Sequence, residues 1–152
     1  MSKKEIKRRL LLSQIMRKAW KLFKTNIELT FSKALKLAWR IVKGIIHPSF
    51  SKIKGVTFEN RQALIYRLSK YSMNKIILSL VPEPNNQYDS NAIKITASVI
   101  DKGSATIGYV SKELATKFNK LISNDKSIYI FIENFTGTHT TSLGINYSYY
   151  VM

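Results

Sequence analysis

A tyrosine and an aspartate stand side by side in the segment EPNNQYDSNAIKI, from Glu83 to Ile95. The ring of Tyr88 can stack on a nucleic-acid base, a contact worth roughly 1–3 kcal/mol at comparable sites. An ionised Asp89 can only accept hydrogen bonds. It therefore favours a donor such as the free 3′-hydroxyl of a strand and repels a phosphate at the same place. One interpretation of the pair is a site that distinguishes a strand end from a continuing strand.

The same aspartate has a structural alternative. An aspartate that follows two turn-forming asparagines, here Asn85 and Asn86, commonly caps a turn by accepting bonds from backbone N–H groups near Asn91. Tyr88 would then lean on the fold instead of facing a ligand. Asn91 is interpreted as structural in either case, and both interpretations of Asp89 stay open at this point.

Signals of catalytic or metal chemistry are weak in this sequence. The absence of cysteine excludes disulfides, thiolate zinc sites and a cysteine nucleophile. The two histidines, His47 and His139, have no cluster of metal-ligating residues near them in the sequence. The carboxylates are scattered singly, and neither a P-loop nor a Gly-x-Ser-x-Gly pattern is present. We therefore expect a protein that is not an enzyme and that needs no cofactor.

The positive charge of the chain is concentrated at its start. The net charge is +16 and the pI about 10.1. Residues 1–54 contain fifteen Lys and Arg against two acids, whereas residues 55–152 contain ten against seven. Such an asymmetry is typical of a basic arm that precedes a folded module and is attracted to phosphates or anionic lipid. The arm residues expected to contact phosphates are Lys33, Lys36, Arg40 and Lys43.

Two amphipathic basic helices are predicted within residues 1–48. Apolar residues recur there at intervals of three and four, with cations on the other sides of the helices. Thr30 or Ser32 can cap the second helix, and Gly44 followed by Pro48 can end it. The predicted apolar stripes are Leu12, Ile15, Met16, Ala19, Leu22 and Phe23 in the first helix and Phe31, Ala34, Leu35, Ala38, Ile41, Val42 and Ile45 in the second.

Trp20 and Trp39 lie in a weak internal repeat, KAWKLFK and LAWRIVK. The favoured interpretation is that both indole rings pack between the helices and hold them as a hairpin. The alternative is that they stack on bases or contact a partner.

The pattern changes near residue 53, where short strands begin. The predicted strands are KIKGVTF, KIILSLV, NAIKITASVI, ATIGYV, KSIYIFIENF and GINYSYYVM, and the predicted helices are ENRQALIYRLSKY and SKELATKFNKLI, with Ser111 as N-cap. Six short strands and two helices indicate an α+β fold, a small and partly open β-barrel. The predicted division is a basic helical arm at 1–48 and a barrel domain at 53–152. Among Tyr147, Tyr149 and Tyr150 of the last strand, some are expected in the core, and the alternative for one of them is an outward ring that extends the stacking surface.

Three segments in this order and spacing, GVTFENRQ, EPNNQYDSNAIKI and IGYVSKELA, resemble the motifs of the HIRAN domain family. The resemblance covers about residues 53–152 and leaves out the basic arm. It implies a modified OB-like barrel. In that family the domain stands alone in bacteria and phages or is fused to helicase-like DNA-remodelling enzymes, where it binds single-stranded DNA with a preference for a free 3′ end.

The resemblance also implies site residues. The end-binding Tyr-Asp pair of the family corresponds to Tyr88 and Asp89, and the lysine that opens the helix after the fourth strand corresponds to Lys112. Tyr109 follows the glycine where eukaryotic members have histidine, and Arg61 of the Glu-Asn-Arg-Gln motif is counted with these nucleic-acid-binding residues. An Arg-Tyr pair that those members carry before the first-strand glycine is replaced here by SKIKG.

Three functions are weighed from the sequence. The favoured one is a nucleic-acid-binding protein, with a barrel that holds a single-stranded DNA end and an arm that contacts phosphates. The second is an adaptor whose arm docks on a nucleic-acid–protein machine or a phage particle. The third is a peripheral membrane protein that lies on anionic lipid through the arm. Since no segment is long or apolar enough to span a bilayer, we expect a soluble protein in the cytoplasm of a bacterium, or of a host if a phage encodes it.

Overall fold

The structure is a computed structural model that describes residues 1–138 and 140–152. Within these residues it has four α-helices, six β-strands and a short 3-10 helix at Met73–Lys75. The helices are α1 (Lys3–Lys24), α2 (Phe31–Val42), α3 (Arg61–Leu68) and α4 (Lys112–Ser123). The strands are β1 (Ser49–Lys52), β2 (Ile76–Pro82), β3 (Ile93–Val99), β4 (Ser104–Tyr109), β5 (Ile128–Thr136) and β6 (Gly144–Val151).

The strands form two antiparallel sheets of three strands each. One sheet has the order β2-β3-β4 and the other the order β1-β6-β5. The sheets meet just after β1, where Lys54 and Tyr109 exchange two backbone hydrogen bonds of 2.8 Å. On the other side β2 lies beside β5, and the described strands do not close into a full barrel. The predicted α+β fold with a partly open six-stranded barrel is confirmed.

Strand alternation determines what lies inside the barrel. In β3 every second residue is buried, from Ile93 to Val99, while the residues between them are partly exposed. Such a period of two places one face of the strand in the core. Gly108 in β4 permits the close approach of the first segment, because a Cβ there would clash with the Ile53 side chain and the Lys54 carbonyl. The glycine of the IGYV segment therefore serves the junction between the sheets.

The first predicted strand is displaced in the structure. The strand β1 ends at Lys52, whereas the sequence pattern predicts a strand from Lys52 to Phe58. Gly55 has a φ of 69°, and the following residues form a turn before α3. A left-handed glycine interrupts the extended run, so the alternation of KIKGVTF does not continue as a ladder. The next helix is shorter than the predicted segment ENRQALIYRLSKY and begins at Arg61.

The sheet β1-β6-β5 has two covered faces. One face contributes Ile128, Ile130, Tyr147 and Tyr149 to the barrel core. The opposite face contributes Tyr129, Phe131 and Tyr150 to a second apolar cluster, which it shares with α1 and α2. All three last-strand tyrosines are thus buried, and Tyr150 lies beneath the helical arm instead of facing solvent. The extent of the two predicted domains stays a prediction, since arm and barrel share this cluster.

The helices α1 and α2 form the predicted hairpin. A capping box at Ser2 and Glu5 begins α1, the Thr30 side chain caps α2, and Gly44 with a φ of 73° follows its end. The linker between the helices is fixed by Asn26, whose Nδ2 donates to the Ile130 carbonyl at 3.3 Å. Ile15, Ala19 and Leu22 of α1 and Ala34, Leu37 and Ala38 of α2 are buried.

Half of the predicted stripe of α1 stays outside the core. Leu12, Met16 and Phe23 are exposed, because the apolar residues of α1 span a wider arc than the sheet and α2 can cover. Trp20 contacts α2 through Phe31, with ring centroids 4.5 Å apart, yet Trp20 and Trp39 are each 46% exposed. The expectation that both indoles are packed between the helices is therefore met only by the Trp20–Phe31 contact.

Candidate nucleic-acid interface

The loop between β2 and β3 holds Tyr88 out in solvent. Its side chain is 90% exposed, yet the loop beneath it is tightly hydrogen-bonded. Asn86 Oδ1 accepts from the backbone N–H groups of Tyr88 at 2.9 Å and Asp89 at 3.0 Å. The base of the loop closes through a 2.8 Å bond from the Glu83 N–H to the Ala92 carbonyl. A large aromatic ring is thus presented on an ordered loop, and no other aromatic or cationic side chain of residues 1–138 and 140–152 packs on it.

Asp89 caps the turn and keeps acceptor capacity. Its Oδ1 accepts from the Asn91 N–H at 2.9 Å, as the structural interpretation predicts. Within residues 1–138 and 140–152 its Oδ2 accepts no protein hydrogen bond. One oxygen therefore orders the loop, and the second can accept from a hydroxyl group of a ligand.

Tyr109 lies at the end of β4, against Glu83. The nearby Glu83 carboxylate is the largest cause that raises the pKa of Tyr109, and burial adds to it. On its ring face, the guanidinium carbon of Arg61 is 5.3 Å from the ring centroid. The Tyr109 side chain thus has an acid near its hydroxyl and a cation on its ring face.

Arg61 and Gln62 of the Glu-Asn-Arg-Gln motif hold the backbone. Arg61 is buried and its Nη1 donates to the Gly55 carbonyl at 2.7 Å. Gln62 donates to the carbonyls of Val56 and Leu143, at 2.9 and 2.8 Å, and accepts from the Leu143 N–H. Arg61 is among the residues predicted to bind nucleic acid, but its burial leaves it an indirect role through Tyr109 and the Gly55 turn.

The start of α4 supplies exposed donors. Lys112 is the first residue of the helix and is exposed, whereas Ser111 at the N-cap position makes no side-chain cap bond. Since the first backbone N–H groups of a helix have no intrahelical partner, this end attracts anions, and the Lys112 ammonium adds a charge. Asn119 on the same helix donates to the Asn91 carbonyl at 2.8 Å and ties α4 to the loop.

Four candidates lie at one end of the sheet β2-β3-β4: the exposed Tyr88 and Lys112 and the half-buried Asp89 and Tyr109. Tyr109 pairs with Lys94, and the Val110 N–H donates to the Ile93 carbonyl at 3.0 Å. The end of β4, which leads into Lys112, therefore lies beside the start of β3, which follows the Tyr88–Asp89 loop. These residues are far apart in the sequence, and the antiparallel register of β3 with β4 brings them together.

The predicted arm cations belong to a different part of the fold. Lys33, Lys36, Arg40 and Lys43 are exposed on or directly after α2. The hairpin packs on the sheet β1-β6-β5, not on the sheet that carries the loop. The cations of α2 and the exposed Lys112 therefore lie in two separate regions and do not form one continuous patch around Tyr88.

The described residues show no site for a metal ion. Within residues 1–138 and 140–152 no group of three or more His, Asp or Glu side chains converges as metal ligands would. His139 lies outside the described residues. None of the helices in that part of the chain combines the length and hydropathy that crossing a bilayer requires.

Two small sheets joined at one seam, with a helix following the fourth strand and a structured β2–β3 loop, define a compact α+β module of the partly open barrel type. The model of the HIRAN domain family matches residues 49–151, and the chain belongs to this family. It is also similar to the crystal structure of a protein from Lactobacillus plantarum, with 14% identity and a TM-score of 0.43 over 68% of this chain and 99% of that chain. No curated protein sequence matches it. HIRAN domains are typically binding modules, and membership suggests nucleic-acid binding.

Sequence reasoning missed two features of the site. The contact of Glu83 with Tyr109 joins residues that are far apart in the chain, and only the strand register brings them together. The burial of Arg61 depends on the Gly55 turn, whose carbonyl accepts from its Nη1, and no local sequence pattern marks it. The exposed donors and the exposed ring, in contrast, lie where turn residues and a helix start were recognised.

Proposed function

We propose that this HIRAN protein binds single-stranded DNA and holds a strand end between the Tyr88–Asp89 loop and the start of α4. The observation that carries the proposal is the exposed Tyr88 ring on a loop whose backbone is fixed by Asn86. A loop whose backbone is already ordered loses little backbone conformational entropy when a base stacks on its ring.

Each remaining group has a distinct role in this proposal. The unbonded oxygen of Asp89 accepts a hydrogen bond from a terminal 3′-hydroxyl and repels a terminal phosphate. The ammonium of Lys112 and the N–H groups at the start of α4 bind a backbone phosphate. Tyr109, with Arg61 on its ring face and Glu83 near its hydroxyl, provides a second aromatic surface. The cations of α2 add affinity that does not depend on sequence.

The test compares two oligonucleotides that differ only at the 3′ terminus, hydroxyl or phosphate, by fluorescence anisotropy. We expect the wild-type protein to bind the hydroxyl end more tightly, because a hydrogen bond to a charged acceptor is worth roughly 1.5–3 kcal/mol and repulsion adds to the difference. Equal binding of the two ends would remove Asp89 from recognition.

Two substitutions separate the roles within the loop. Tyr88→Ala should weaken both ends alike, by roughly 1–3 kcal/mol, because stacking does not depend on the terminus. The matched control is Tyr66→Ala on α3, which removes another exposed tyrosine ring and should leave binding unchanged. If Tyr66→Ala weakens binding as much as Tyr88→Ala does, stacking at the loop is not the source of affinity.

A further inference from the structure

The outward side of the helical hairpin carries an apolar groove that the barrel does not cover. It has a volume of about 530 Å³, with Ile15 and Leu35 at its floor and Leu12, Met16 and Trp39 on its sides. Ile15 is buried, while Leu12, Met16 and Trp39 are between 42% and 50% exposed. Towards the other end of the hairpin the apolar side continues in the Trp20–Phe31–Phe23 cluster. An apolar surface of this extent on a basic arm typically marks an interaction site.

Cations border the groove. Lys36 and Arg40 line it, and Arg17 and Lys24 lie beside Trp20. The sequence of α1 and α2 contains a single acid, Glu5, which lies in the first turn of α1 and accepts from the Ser2 N–H at 2.8 Å. An occupant of the groove therefore has to be apolar along its centre and negatively charged along its sides.

We propose that this groove binds an acidic amphipathic helix of a partner protein. The distance along α1 from Leu12 to Phe23 is about 16 Å, since a helix rises 1.5 Å per residue, and a helix of about three turns has this length. Apolar side chains at i, i+3, i+4 and i+7 would enter the groove, and glutamates on either side would meet Lys36, Arg40 and Arg17. Met16 and two half-exposed indoles are the residue types that line adaptable helix-binding grooves.

The other classes of occupant agree less well with the side chains. Bases stack on rings, but Leu12, Met16 and Leu35 offer aliphatic surface. A bilayer surface contacts protruding side chains, whereas part of the apolar surface here is recessed between two helices, with Ile15 only 4% exposed. A second copy of the chain would bring two strongly cationic hairpins together, at a cost in repulsion.

The two tryptophans give a direct measurement. They are the only ones in the chain, and because Trp39 lines the groove while Trp20 packs on Phe31 next to it, intrinsic fluorescence reports occupancy of the groove. The probe is a 16-residue peptide without Trp or Tyr, with Leu at helical spacing and Glu at the flanking positions. We expect a saturable blue shift of the full-length protein, and none with a peptide of the same composition whose apolar residues are scrambled. The measurement contains no nucleic acid, so its result does not depend on the proposed DNA binding.

Variants identify the surface. Met16→Glu places a carboxylate in the groove and should weaken peptide binding by at least about tenfold, because it adds like-charge repulsion to lost apolar contact. Ile100→Glu changes a comparably exposed apolar residue beyond the end of β3 and should have no effect. The double variant Lys36→Glu, Arg40→Glu reverses the charge at the border of the groove. It should also weaken peptide binding, and it alters no apolar side chain.

Several results would overturn the inference. They are equal binding of the scrambled peptide, the absence of a shift with either peptide, and peptide binding that Met16→Glu and the double charge reversal leave unchanged. A shift caused by vesicles of phosphatidylglycerol and phosphatidylcholine, without a shift from the peptide, would assign the groove to a membrane surface. Strong quenching of the tryptophan fluorescence by oligothymidine, without a shift from the peptide, would assign the groove to single-stranded nucleic acid.

Discussion

The two carboxylate oxygens of Asp89 have different surroundings, one at the protein backbone and one facing solvent. One accepts from the Asn91 N–H at 2.9 Å, and the other has no partner among the described residues. A substitution at this residue therefore has two separable effects, one on the loop and one on ligand choice. Without that separation, loss of binding in a variant says little about the role of the carboxylate.

The substitution Asp89→Asn tests this division. The amide oxygen can still accept from Asn91, but the charge that rejects phosphate is gone. We expect the difference in affinity between 3′-hydroxyl and 3′-phosphate ends to shrink more than the overall affinity falls. The matched control is Asp101→Asn in the β3–β4 turn, which removes the same charge elsewhere. A melting temperature lowered by Asp89→Asn, with end discrimination intact, would show that the residue is a turn cap only.

Tyr147 provides a pH dependence at the residue scale. It is fully buried, and this burial raises the pKa of its phenol to about 12. Because the unfolded pKa is about 10, the neutral phenol stabilises the fold at any pH below 10, and that contribution is lost as the pH rises through 12. Its Oη has no protein hydrogen-bond partner among the described residues. The Tyr147 hydroxyl therefore lowers the stability of the fold at alkaline pH and adds no hydrogen bond to it.

We expect Tyr147→Phe to remove this part of the alkaline loss. The loss amounts to about 2–3 kcal/mol, since each pKa unit corresponds to about 1.4 kcal/mol. Urea unfolding at pH 9 and pH 12 gives the free energies for both proteins. At pH 9 the variant should be at least as stable as the wild type, because no hydrogen bond is broken. If both proteins lose the same stability between the two pH values, Tyr147 does not ionise on unfolding in this range.

At the scale of elements, the seam between the sheets depends on one small residue. Gly108 faces Ile53 and the Lys54 carbonyl so closely that no side chain fits. Gly108→Ala should destabilise the protein by about 1–3 kcal/mol, as overpacking in a core does. Gly103→Ala is the control, since nothing lies within 4 Å of a Cβ there. Thermal unfolding measures both, and equal melting temperatures of the two variants would contradict the role of Gly108.

The hairpin and the barrel are predicted to depend on each other. Removal of residues 1–48 would expose Tyr129, Phe131 and Tyr150, which are at most 9% exposed in the intact chain. Burial of a side chain of the size of Phe131 contributes about 1.5–3 kcal/mol. We therefore expect fragment 49–152 to have a lower free energy of unfolding and to aggregate sooner than the full chain. Light scattering and urea unfolding compare them, and an equally stable, monomeric fragment would establish an independent barrel domain.

The sequence predicted single elements better than the contacts between them. Caps, a left-handed glycine and strand alternation are local, so the starts of α2 and α4, the end of α2 and the strands β2 to β6 were accessible. The packing of the hairpin on the back of β5 and β6 is not local. Its signal was the uninterrupted apolar run IYIF, because a strand with two covered faces does not alternate.

The candidate site follows the same rule. The role of Asn86 as acceptor for two backbone N–H groups fits its type and its position in a turn. The placement of Tyr109 beside Glu83 and Arg61 depends on the register of β3 with β4 and on the Gly55 turn. The exposure of Trp39 depends on which arc of α2 faces α1 and the sheet, which amphipathic periodicity alone leaves undecided.

At the scale of the whole molecule, charge is distributed unequally between arm and barrel. If the four cations Lys33, Lys36, Arg40 and Lys43 contact phosphates, their replacement by Gln should lower the slope of log affinity against log salt by up to about 2.8, because each phosphate neutralised on a single strand contributes about 0.7. The control replaces Lys102, Lys117, Lys120 and Lys126 and removes the same charge from the barrel. Equal slopes for the two quadruple variants would show that net charge, not the arm, attracts the strand.

The arm is synthesised before the surface that it covers. Ser49 pairs with Tyr149, and the hairpin packs on residues 129, 131 and 150, so neither contact can form before β5 and β6 have been synthesised. About 100 residues separate the end of the hairpin from Tyr150, and at 5–20 residues per second a ribosome needs roughly 5–20 s to add them. Throughout that interval both apolar sides of α1 are open to water. The nascent chain is then at its most vulnerable to self-association, and a factor that shields α1 would act during translation rather than after it.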